Sequence, residues 1–583
     1  MSIRTNKMKA IPVLLKQLMI ARRKFHERGR DESFDRKLEK LRSDLKKIED
    51  VFVRVKKKEE VLLDTLAEVY DHLRKLDRGK LDEDMDGICQ RIRDSAHNLL
   101  PILAFDDSSK DEDHIGGQIF HPSEELWQAH ERIRNLENLY YSPDNPSTLC
   151  LSSLFIFPEN AVIRKRNAIN LWIGEGLIGN TENKRAEEEG EDVIDDLLKC
   201  GVIVRCGNGK DPSVNRFQIF INVRHQMELY LSKENGKHQG QYFIPTTYPQ
   251  IRVERLELER KKATLGGDDW YFGDRTIGTI FNIGASYLNF RPKWVTELKN
   301  LLVLQLGRWQ DSALHHIEVG SQEFLKELRN LKQLRYLSLR GISRIFELPS
   351  SIVELESLLV LDLKACHNLE TLPDDISTMK SLTHLILSEC CFVEGMPKGI
   401  EKLTNLQVLK GFLISRPGKT PCRISELVKL RKLRGLSIHI GSEAVIRNGE
   451  FERLEDFFKL EQLKISWNVS DPKYANINII VPPHLKKLHL ECFPGKSFVE
   501  CFMPSKWERA GLESTLELNI TGGKLESIKT HLTLRTLKIL RLKYLKQLNV
   551  DIDDLKALFP RLKYVEIKQI SNHSYIEHEW GII

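Results

Sequence analysis

The chain has 583 residues, with 89 Lys and Arg against 83 Asp and Glu and a formal net charge of +6. Hydrophobic residues make up 41%, which is enough for packed cores and excludes a wholly disordered chain. The 34 glycines and 10 cysteines exclude a collagen and a disulfide-stabilised scaffold. No run of 18 consecutive apolar residues occurs, so the sequence predicts no transmembrane helix and we expect a cytoplasmic protein.

Residues 1–104 are predicted to form a helical, coiled-coil-like domain. Residues 1–30 carry nine Lys and Arg and one Glu. Apolar residues recur in them at helical spacing, at Ile11, Leu14, Leu15 and Leu18. Such a basic amphipathic helix can contact an anionic membrane surface, which would make the protein membrane-peripheral, or it can pack within its own bundle. The composition leaves both alternatives open.

A heptad pattern follows and predicts coiled-coil material. Its apolar positions are Leu38, Leu41, Leu45, Ile48, Phe52, Val55, Leu62, Leu66, Val69, Leu73 and Leu76. The segment could form one rod, open to helix–helix self-association, or a hairpin that reverses near residues 56–60. Residues 105–147 are interpreted as an acidic linker and a connecting helix, because the stretch 105–125 is rich in Asp and Glu and contains a Gly pair and a Pro.

Residues 148–235 predict three helices and a short hairpin, the composition of a winged-helix domain. Pro158 ends the first helix and Gly176 ends the second in the manner of a C-cap. A third helix is predicted over 187–203. Two short strands then flank the turn GNGKDPSVN.

The amino-acid sequence of two blocks in this domain resembles the winged-helix module of plant nucleotide-binding leucine-rich-repeat (NLR) immune receptors of the coiled-coil type. The blocks are SLFIFPE at 153–159 and LWIGEG at 171–176. The resemblance implies a hinge in a signalling protein. A DNA-binding winged helix is the weaker alternative, carried by the basic residues Arg164, Lys165 and Arg166.

Residues 236–290 are interpreted as a connector, and residues 291–583 as a leucine-rich-repeat solenoid. The pairs Leu337/Leu339, Leu361/Leu363 and Leu385/Leu387 lie 24 residues apart. Each such unit gives a short strand whose leucines can be buried only by stacking on the next unit. The expected fold class is therefore multidomain α + α/β: an N-terminal helical coiled coil or bundle, a winged-helix domain and a C-terminal solenoid.

Strand positions between the leucines are expected on the concave face, where a solenoid binds protein partners. The candidate protein-binding residues are Tyr336, Ser338, Arg340, Asp362, Lys364, His384, Ser388, Lys464, Trp467, His489, Glu491, Arg541 and Lys543. Cys366 and Cys390 occupy the Asn/Cys position of the repeat and are predicted to be buried structural thiols.

No catalytic, cofactor-binding or metal-binding residue set is readable, so we expect a protein that is not an enzyme. The P-loop pattern G-x-x-x-x-G-K-[ST] does not occur in the sequence. Where the resembled family has a Met-His-Asp motif after the wing, this sequence has Ile219-Phe220-Ile221. The string Glu191–Asp195 matches a coiled-coil motif of that family but lies in the winged helix, and we interpret it as chance.

These parts predict a non-enzymatic plant immunity protein that recognises or scaffolds proteins without a nucleotide switch, as an adaptor, decoy or regulator. The expected partners are a pathogen effector, a guarded host protein or a full-length NLR. The alternatives are a repeat scaffold unrelated to defence and a DNA-binding regulator, although the mild net charge gives no general argument for nucleic acid.

Overall fold

The fold is given by a computed structural model of the chain. It describes five positions near the N-terminus and most of residues 146–581. The five positions are helical and buried: Leu18, Ala21, Leu38, Leu41 and Arg42. The gaps after residue 146 are 159–160, 182–183, 207–213, 221–250, 257–261, 266–275, 297, 311–316, 416–421, 469–471, 476, 498–515, 529–536, 549, 551 and 571–574. Apart from those five positions, the predicted basic helix, coiled coil and acidic linker lie outside the described residues.

The predicted winged-helix domain is confirmed. Its elements are α1 Pro146–Ser153, a 3-10 turn at Leu154–Ile156, β1 Ile163–Arg164, α2 Lys165–Glu175, α3 Ala186–Lys199, β2 Ile203–Arg205 and β3 Arg216–Ile219. The three strands pair antiparallel in the order β1-β3-β2. Trp172 of α2 is buried at the centre, and its indole Nε1 donates to the carbonyl of Cys150 at 2.9 Å.

Local sequence sets the bounds of these helices. Gly176 ends α2 in the left-handed region at φ +76°, where a side chain would be strained. The α3 helix begins after Arg185, whose backbone N–H donates to the Glu188 carboxylate at 3.2 Å. Three glutamates in its first turn, Glu187 to Glu189, complement the positive end of the helix dipole.

The predicted repeat solenoid is confirmed as well. Its main sheet has fourteen strands among the described residues, and a second sheet pairs β5, β7 and β9. The strands are β4 Ile251–Leu256, β5 Lys262–Leu265, β6 Thr276–Asn282, β7 Tyr287–Phe290, β8 Val303–Gln305, β9 Glu318–Val319, β10 Tyr336–Ser338, β11 Val360–Asp362, β12 His384–Ile386, β13 Val408–Ile414, β14 Gly435–Ile440, β15 Gln462–Trp467, β16 Lys487–Phe493, β17 Leu516–Gly523, β18 Leu537–Lys543, β19 Tyr564–Ile570 and β20 Tyr575–Gly581. Short helices also connect them: α4 Phe324–Glu327, α5 Ile424–Leu427 and α6 Ile552–Leu558.

Neighbouring strands of the main sheet run parallel from β4 to β19, and only the last pair, β19 with β20, is antiparallel. The 24-residue spacing appears directly in the register, since Leu337 pairs with Leu361 and Leu361 with Leu385. These leucines are fully buried in one continuous core. The stacking of one repeat on the next therefore supplies the burial that a single repeat cannot provide.

The sheet begins before the predicted boundary. Strands β4 and β6 lie within residues 236–290, which the sequence suggested to be a connector, and both belong to the main sheet. The β6 strand pairs with β8 so that Ile280 occupies the position of Leu304. Because this position holds isoleucine, the regular leucine spacing that identifies the later repeats in the sequence is absent from β6.

Both predicted structural cysteines bond to the backbone, but only Cys366 is fully buried as predicted, and Cys390 is half-buried. The thiol of Cys366 donates to the Leu339 carbonyl at 3.0 Å, and that of Cys390 donates to the Leu363 carbonyl at 3.0 Å. Burial raises the pKa of Cys366 to about 12. Both thiols therefore satisfy backbone carbonyls of the preceding repeat and are poor nucleophiles.

Candidate interaction site between the winged-helix domain and the repeat sheet

The strands of the solenoid turn alternate side chains away from the leucine core, toward the concave face. On β10 the core residue is Leu337, so Tyr336 and Ser338 point to that face. The register aligns Tyr336 with its neighbours in one row across five strands. This first row consists of Val303, Tyr336, Val360, His384 and Val408. Four of its five members carry an aliphatic or aromatic side chain, which is unexpected for a face open to water.

The winged-helix domain covers the beginning of this row. Its buried core continues without interruption into residues of the sheet, namely Phe281, Val303, Trp309, Tyr336 and Val360. Phe157, which follows the 3-10 turn, packs edge-on against Phe281 at a centroid distance of 5.0 Å and against Trp309 at 5.3 Å. The two domains therefore share one hydrophobic core, whose burial from water stabilises the docked arrangement.

The α2 helix makes the closest approach to the sheet. A Cβ atom added to Gly174 would lie 2.5 Å from the Tyr336 Cβ and 2.9 Å from the Val303 Cγ2. At the other end of α2, Asn167 donates from Nδ2 to the Trp309 carbonyl at 2.7 Å. Contacts at both ends fix the direction of α2 across the concave face.

The first turn of α3 supplies the polar contacts. The Glu187 carboxylate lies 3.0 Å from Nε2 of His384, whose side chain is only 5% exposed. The other ring nitrogen of His384 lies 2.9 Å from the Thr383 hydroxyl. Burial acts to raise the pKa of Glu187, but its hydrogen bond to His384 and the charges of His384 and Arg185 outweigh burial and lower it. Glu187 is therefore held as a carboxylate against the sheet.

A second polar contact lies farther along the sheet, at Glu461. Arg185 approaches the Glu461 carboxylate at 3.3 Å, and Arg434 of the sheet donates to it at 2.6 Å. Lys486 lies 3.6 Å from the same carboxylate. Three cations from two domains thus share one half-buried acid, which connects the start of α3 to the sheet.

A third acid lies in the seam between the domains. Glu175, at the end of α2, accepts hydrogen bonds from the Ser153 hydroxyl and, at 3.0 Å, from the Thr279 hydroxyl on β6. Burial raises the pKa of Glu175 to about 7, although the hydrogen bonds from Ser153 and Thr279 act to lower it. Its protonation is therefore linked to the packing of α2 on the sheet.

This arrangement changes the surroundings of the predicted binding residues in the first repeats. Five of them are less than 10% exposed: Tyr336, Ser338, Arg340, Asp362 and His384. Lys364 and Ser388 are half-buried beside them. The Tyr336 hydroxyl donates to Gln305 at 2.8 Å, and His384 contacts Glu187. These residues therefore lie on the expected face, but the winged-helix domain occupies the part of it around Tyr336 and His384.

The predicted residues Lys464, Arg541 and Lys543 of the later repeats each lie beside an acid on the neighbouring strand. Lys464 lies 2.8 Å from Glu491, beside which His489 is half-buried. Arg541 and Lys543 approach Glu566 at 3.2 and 2.9 Å. The main sheet from β15 to β19 thus presents a charged surface of mixed sign.

Trp467 was wrongly placed on this surface. It is 2% exposed and packs in the solenoid core, with its ring 5.6 Å from that of Phe493 in an edge-on contact. The β15 strand continues in regular alternation to its end, so Trp467 shares the inward parity of Leu463 and Ile465. The expectation counted it with the outward residues because it follows Ser466 directly.

Several residues of the interface were not predicted. Asn167, Gly174, Arg185, Glu187 and Glu461 were not recognised as contacts, because nothing in a single sequence pairs a helix with a distant strand. The sequence contains one signal of a covered surface: the valines of the first row occupy positions that would be polar on an exposed face. Within the described part of the chain, no group of three or more His, Cys, Asp or Glu could hold a metal ion.

Comparison with known proteins gives the class of protein. A family model described as a disease resistance protein winged helix domain matches residues 156–221, and one described as a leucine-rich repeat region matches residues 293–577. These are the two units whose contact is described above. The fold and the matches together define a leucine-rich-repeat protein with a winged-helix domain of the disease resistance type.

Curated proteins similar to this chain include plant disease resistance proteins. Disease resistance RPP13-like protein 4 of Arabidopsis thaliana is 26% identical over 368 residues, which cover 61% of this chain and 40% of that protein. Disease resistance protein RGA5 of Oryza sativa subsp. japonica is 25% identical over 230 residues, covering 38% of this chain and 19% of that protein. Over the matched residues the chain is similar to plant disease resistance proteins. It spans two-fifths or less of the length of these two relatives.

A search of solved structures matches part of this chain to the LRR ectodomain of the receptor kinase GASSHO1/SCHENGEN3 of Arabidopsis thaliana. That ectodomain is 16% identical, with a TM-score of 0.27, and the match covers 51% of this chain and 36% of that chain. A TLR13–ssRNA13 complex matches with 18% identity and a TM-score of 0.30, covering 51% of this chain and 42% of that chain.

In the described residues, no helix has the length and hydropathy needed to cross a membrane.

The close approach at Gly174 gives a first prediction. The substitution Gly174→Ala should lower the free energy of unfolding by about 1–3 kcal/mol, since the new methyl group overlaps Tyr336 and Val303. The matched control is Gly179→Ala, where an added Cβ has no neighbour within 4 Å. Chemical denaturation of the full chain measures both variants. Equal stability of the two would contradict the docking of α2.

The pKa of Glu175 gives a second prediction. An unfolded glutamate has a pKa of 4.5, against about 7 in the folded protein. The raised pKa means that this group stabilises the fold below pH 4.5, and that the stabilisation is lost as the pH rises to about 7. Between about pH 5 and pH 8 the wild type should lose up to about 3 kcal/mol relative to Glu175→Gln.

Thermal unfolding at a series of pH values checks the Glu175 prediction. The exposed Glu356→Gln is a suitable control, because Glu356 lies outside the seam between the domains. A stability difference between wild type and Glu175→Gln that does not change with pH would show that Glu175 titrates as an ordinary surface acid.

Proposed function

We propose that this chain acts in plant immunity as a non-enzymatic recognition protein, in the role of an adaptor, decoy or regulator. Its partner would be a pathogen effector, a guarded host protein or a full-length NLR in the cytoplasm. The homology to disease resistance proteins supports the setting in immunity. A leucine-rich-repeat solenoid of this length supports recognition of a protein surface.

One observation carries this proposal: the winged-helix domain covers one part of the concave face, and the other part presents charged side chains. Its first strands form a shared core with the winged-helix domain. Its later strands present charged side chains such as Lys464, Glu491 and Lys543, which are partly exposed and belong to rigid strands. A rigid, charged surface of this kind favours selective binding of a partner with complementary charge.

The proposed absence of a nucleotide switch rests on the sequence. Within these 583 residues no P-loop pattern supplies the backbone N–H groups and the Lys that hold phosphates. The segment after the wing strand β3 has Phe220 where the resembled family has its histidine. Binding or release of a partner protein at the concave face would then regulate the activity of this chain, in place of nucleotide exchange.

The charge of α3 argues against the DNA-binding alternative. Seven of its fourteen residues are Asp or Glu and only Lys199 is basic. Duplex DNA is bound mainly through neutralisation of its phosphates by Lys and Arg, so this helix would repel it. The basic residue Arg166 lies in α2, beside Asn167, which contacts the repeat sheet.

Proximity labelling from the full chain in infected plant tissue tests the proposal. We expect recovery of a full-length NLR or of a host protein that an NLR guards. A labelled set that contains only subunits of an unrelated machine, for example a cullin ligase, would favour a scaffold outside defence.

The same purified protein should be analysed for bound nucleotide after denaturation. We expect none in stoichiometric amount, because the P-loop pattern does not occur in these 583 residues. Stoichiometric ADP would overturn the proposed lack of a nucleotide switch, whatever the result of the labelling experiment. A full-length NLR purified in parallel is the positive control.

A further inference from the structure

A basic residue from each domain lies near the middle of the concave face, and the charge of Arg166 acts on Lys410. Arg166 lies in the first turn of α2, which the hydrogen bond from Asn167 to the Trp309 carbonyl holds over the sheet. Lys410 lies on β13 and is aligned through Ile386 with Asp362. Both side chains are at least partly accessible to solvent. We use the term groove for the surface between them, where the winged-helix domain meets the sheet.

Other basic residues extend this groove along the solenoid. We use the term cationic strip for Arg166, Arg340, Lys364, Lys410 and Lys464. Lys364 is 3.2 Å from Glu389, and Lys464 is 2.8 Å from Glu491. Within the described residues, Arg166 and Lys410 form no such ion pair. Positive charge is therefore in excess at the centre of the strip.

The titration of the central residues agrees with this excess. Burial, followed by the charges of Arg166, Lys364 and Lys464, holds the pKa of Lys410 well below its usual range. Burial and the charge of Arg340 likewise lower the pKa of Arg166. Asp362 opposes both shifts but does not overcome them. A bound anion would relieve this like-charge repulsion.

The size of the strip indicates which anion fits. From β11, which Lys364 follows, to Lys464 on β15 there are four strand spacings, or about 19 Å at about 4.8 Å each. A compact anion cannot contact charges spread over that length, whereas an extended peptide of about six residues can.

We propose that the cationic strip binds an acidic peptide segment of the partner protein. This inference rests on the proposed function, since it assigns chemistry to the partner recognised by the concave face. Carboxylates of the peptide pair with Arg166 and Lys410, and the edge of α2 forms one wall of the groove. Binding therefore depends on the winged-helix domain as well as on the repeats.

Fluorescence anisotropy with the full chain tests this directly. The probe is a labelled ten-residue peptide of alternating Asp and Gly, and its neutral counterpart has Asn in place of Asp. At low ionic strength we expect the acidic peptide alone to bind, with an affinity that falls as salt is added. The variants Lys410→Met and Arg166→Gln should each weaken binding roughly fivefold, the equivalent of about 1 kcal/mol for a removed charge.

The matched control is Lys299→Met, a lysine exposed outside the strip, which should bind the peptide as the wild type does. Thermal unfolding of each variant provides a second measurement. Lys410→Met should be at least as stable as wild type, because it removes a repelled charge. Unchanged peptide affinity in Lys410→Met, or a clear loss of its stability, would overturn the proposal.

A competition experiment separates the remaining outcomes. Tripolyphosphate at the same total charge should displace the peptide less effectively than unlabelled peptide does. Displacement by tripolyphosphate at lower concentrations would mean a compact anion site and would overturn the peptide assignment. Absence of peptide binding would leave the results of proximity labelling unaffected, so failure here is distinguishable from failure of the proposed function.

Discussion

The arrangement of this protein depends on the close packing of one helix against one sheet. The α2 helix lies so near strands β8 and β10 that Gly174 has no room for a side chain. Around this contact the winged-helix core and the first row of the concave face merge into one hydrophobic cluster. Since water is excluded there, the polar groups at the edge of the cluster, notably Glu175 and Glu187, need partners from the opposite domain.

The merged core explains why the concave face has two chemical characters. Strands that meet the winged-helix domain carry Val303, Tyr336 and Val360 in the first row. The same row continues beyond the covered region with Gln462, Lys487 and Glu517. A surface that packs another domain must be apolar, and a surface that meets water can be charged. The change along the row therefore follows the extent of the hydrophobic contact with the winged-helix domain.

The winged-helix domain and the repeat solenoid could be predicted from the sequence because local sequence patterns determine their elements. The 24-residue repeat predicts the strand register, and Gly176 marks the end of α2 as a left-handed C-cap. The early strand β6 was not predicted, because Ile280 replaces the repeat leucine. Trp467 was misassigned by one position, which in a strand reverses the face. The docking was not predictable, since it depends on tertiary contacts between residues more than a hundred positions apart.

The most direct test of domain docking is the coupling free energy between Glu187 and His384, which belong to different domains and lie 3.0 Å apart. A double-mutant cycle with Glu187→Gln and His384→Gln, measured by chemical denaturation of the full chain, should give a coupling of about 1 kcal/mol or more. The exposed pair Lys332 and Glu354, at 3.4 Å within the solenoid, should give a value near zero. A coupling near zero for Glu187 and His384 as well would contradict the docking of the winged-helix domain on the concave face.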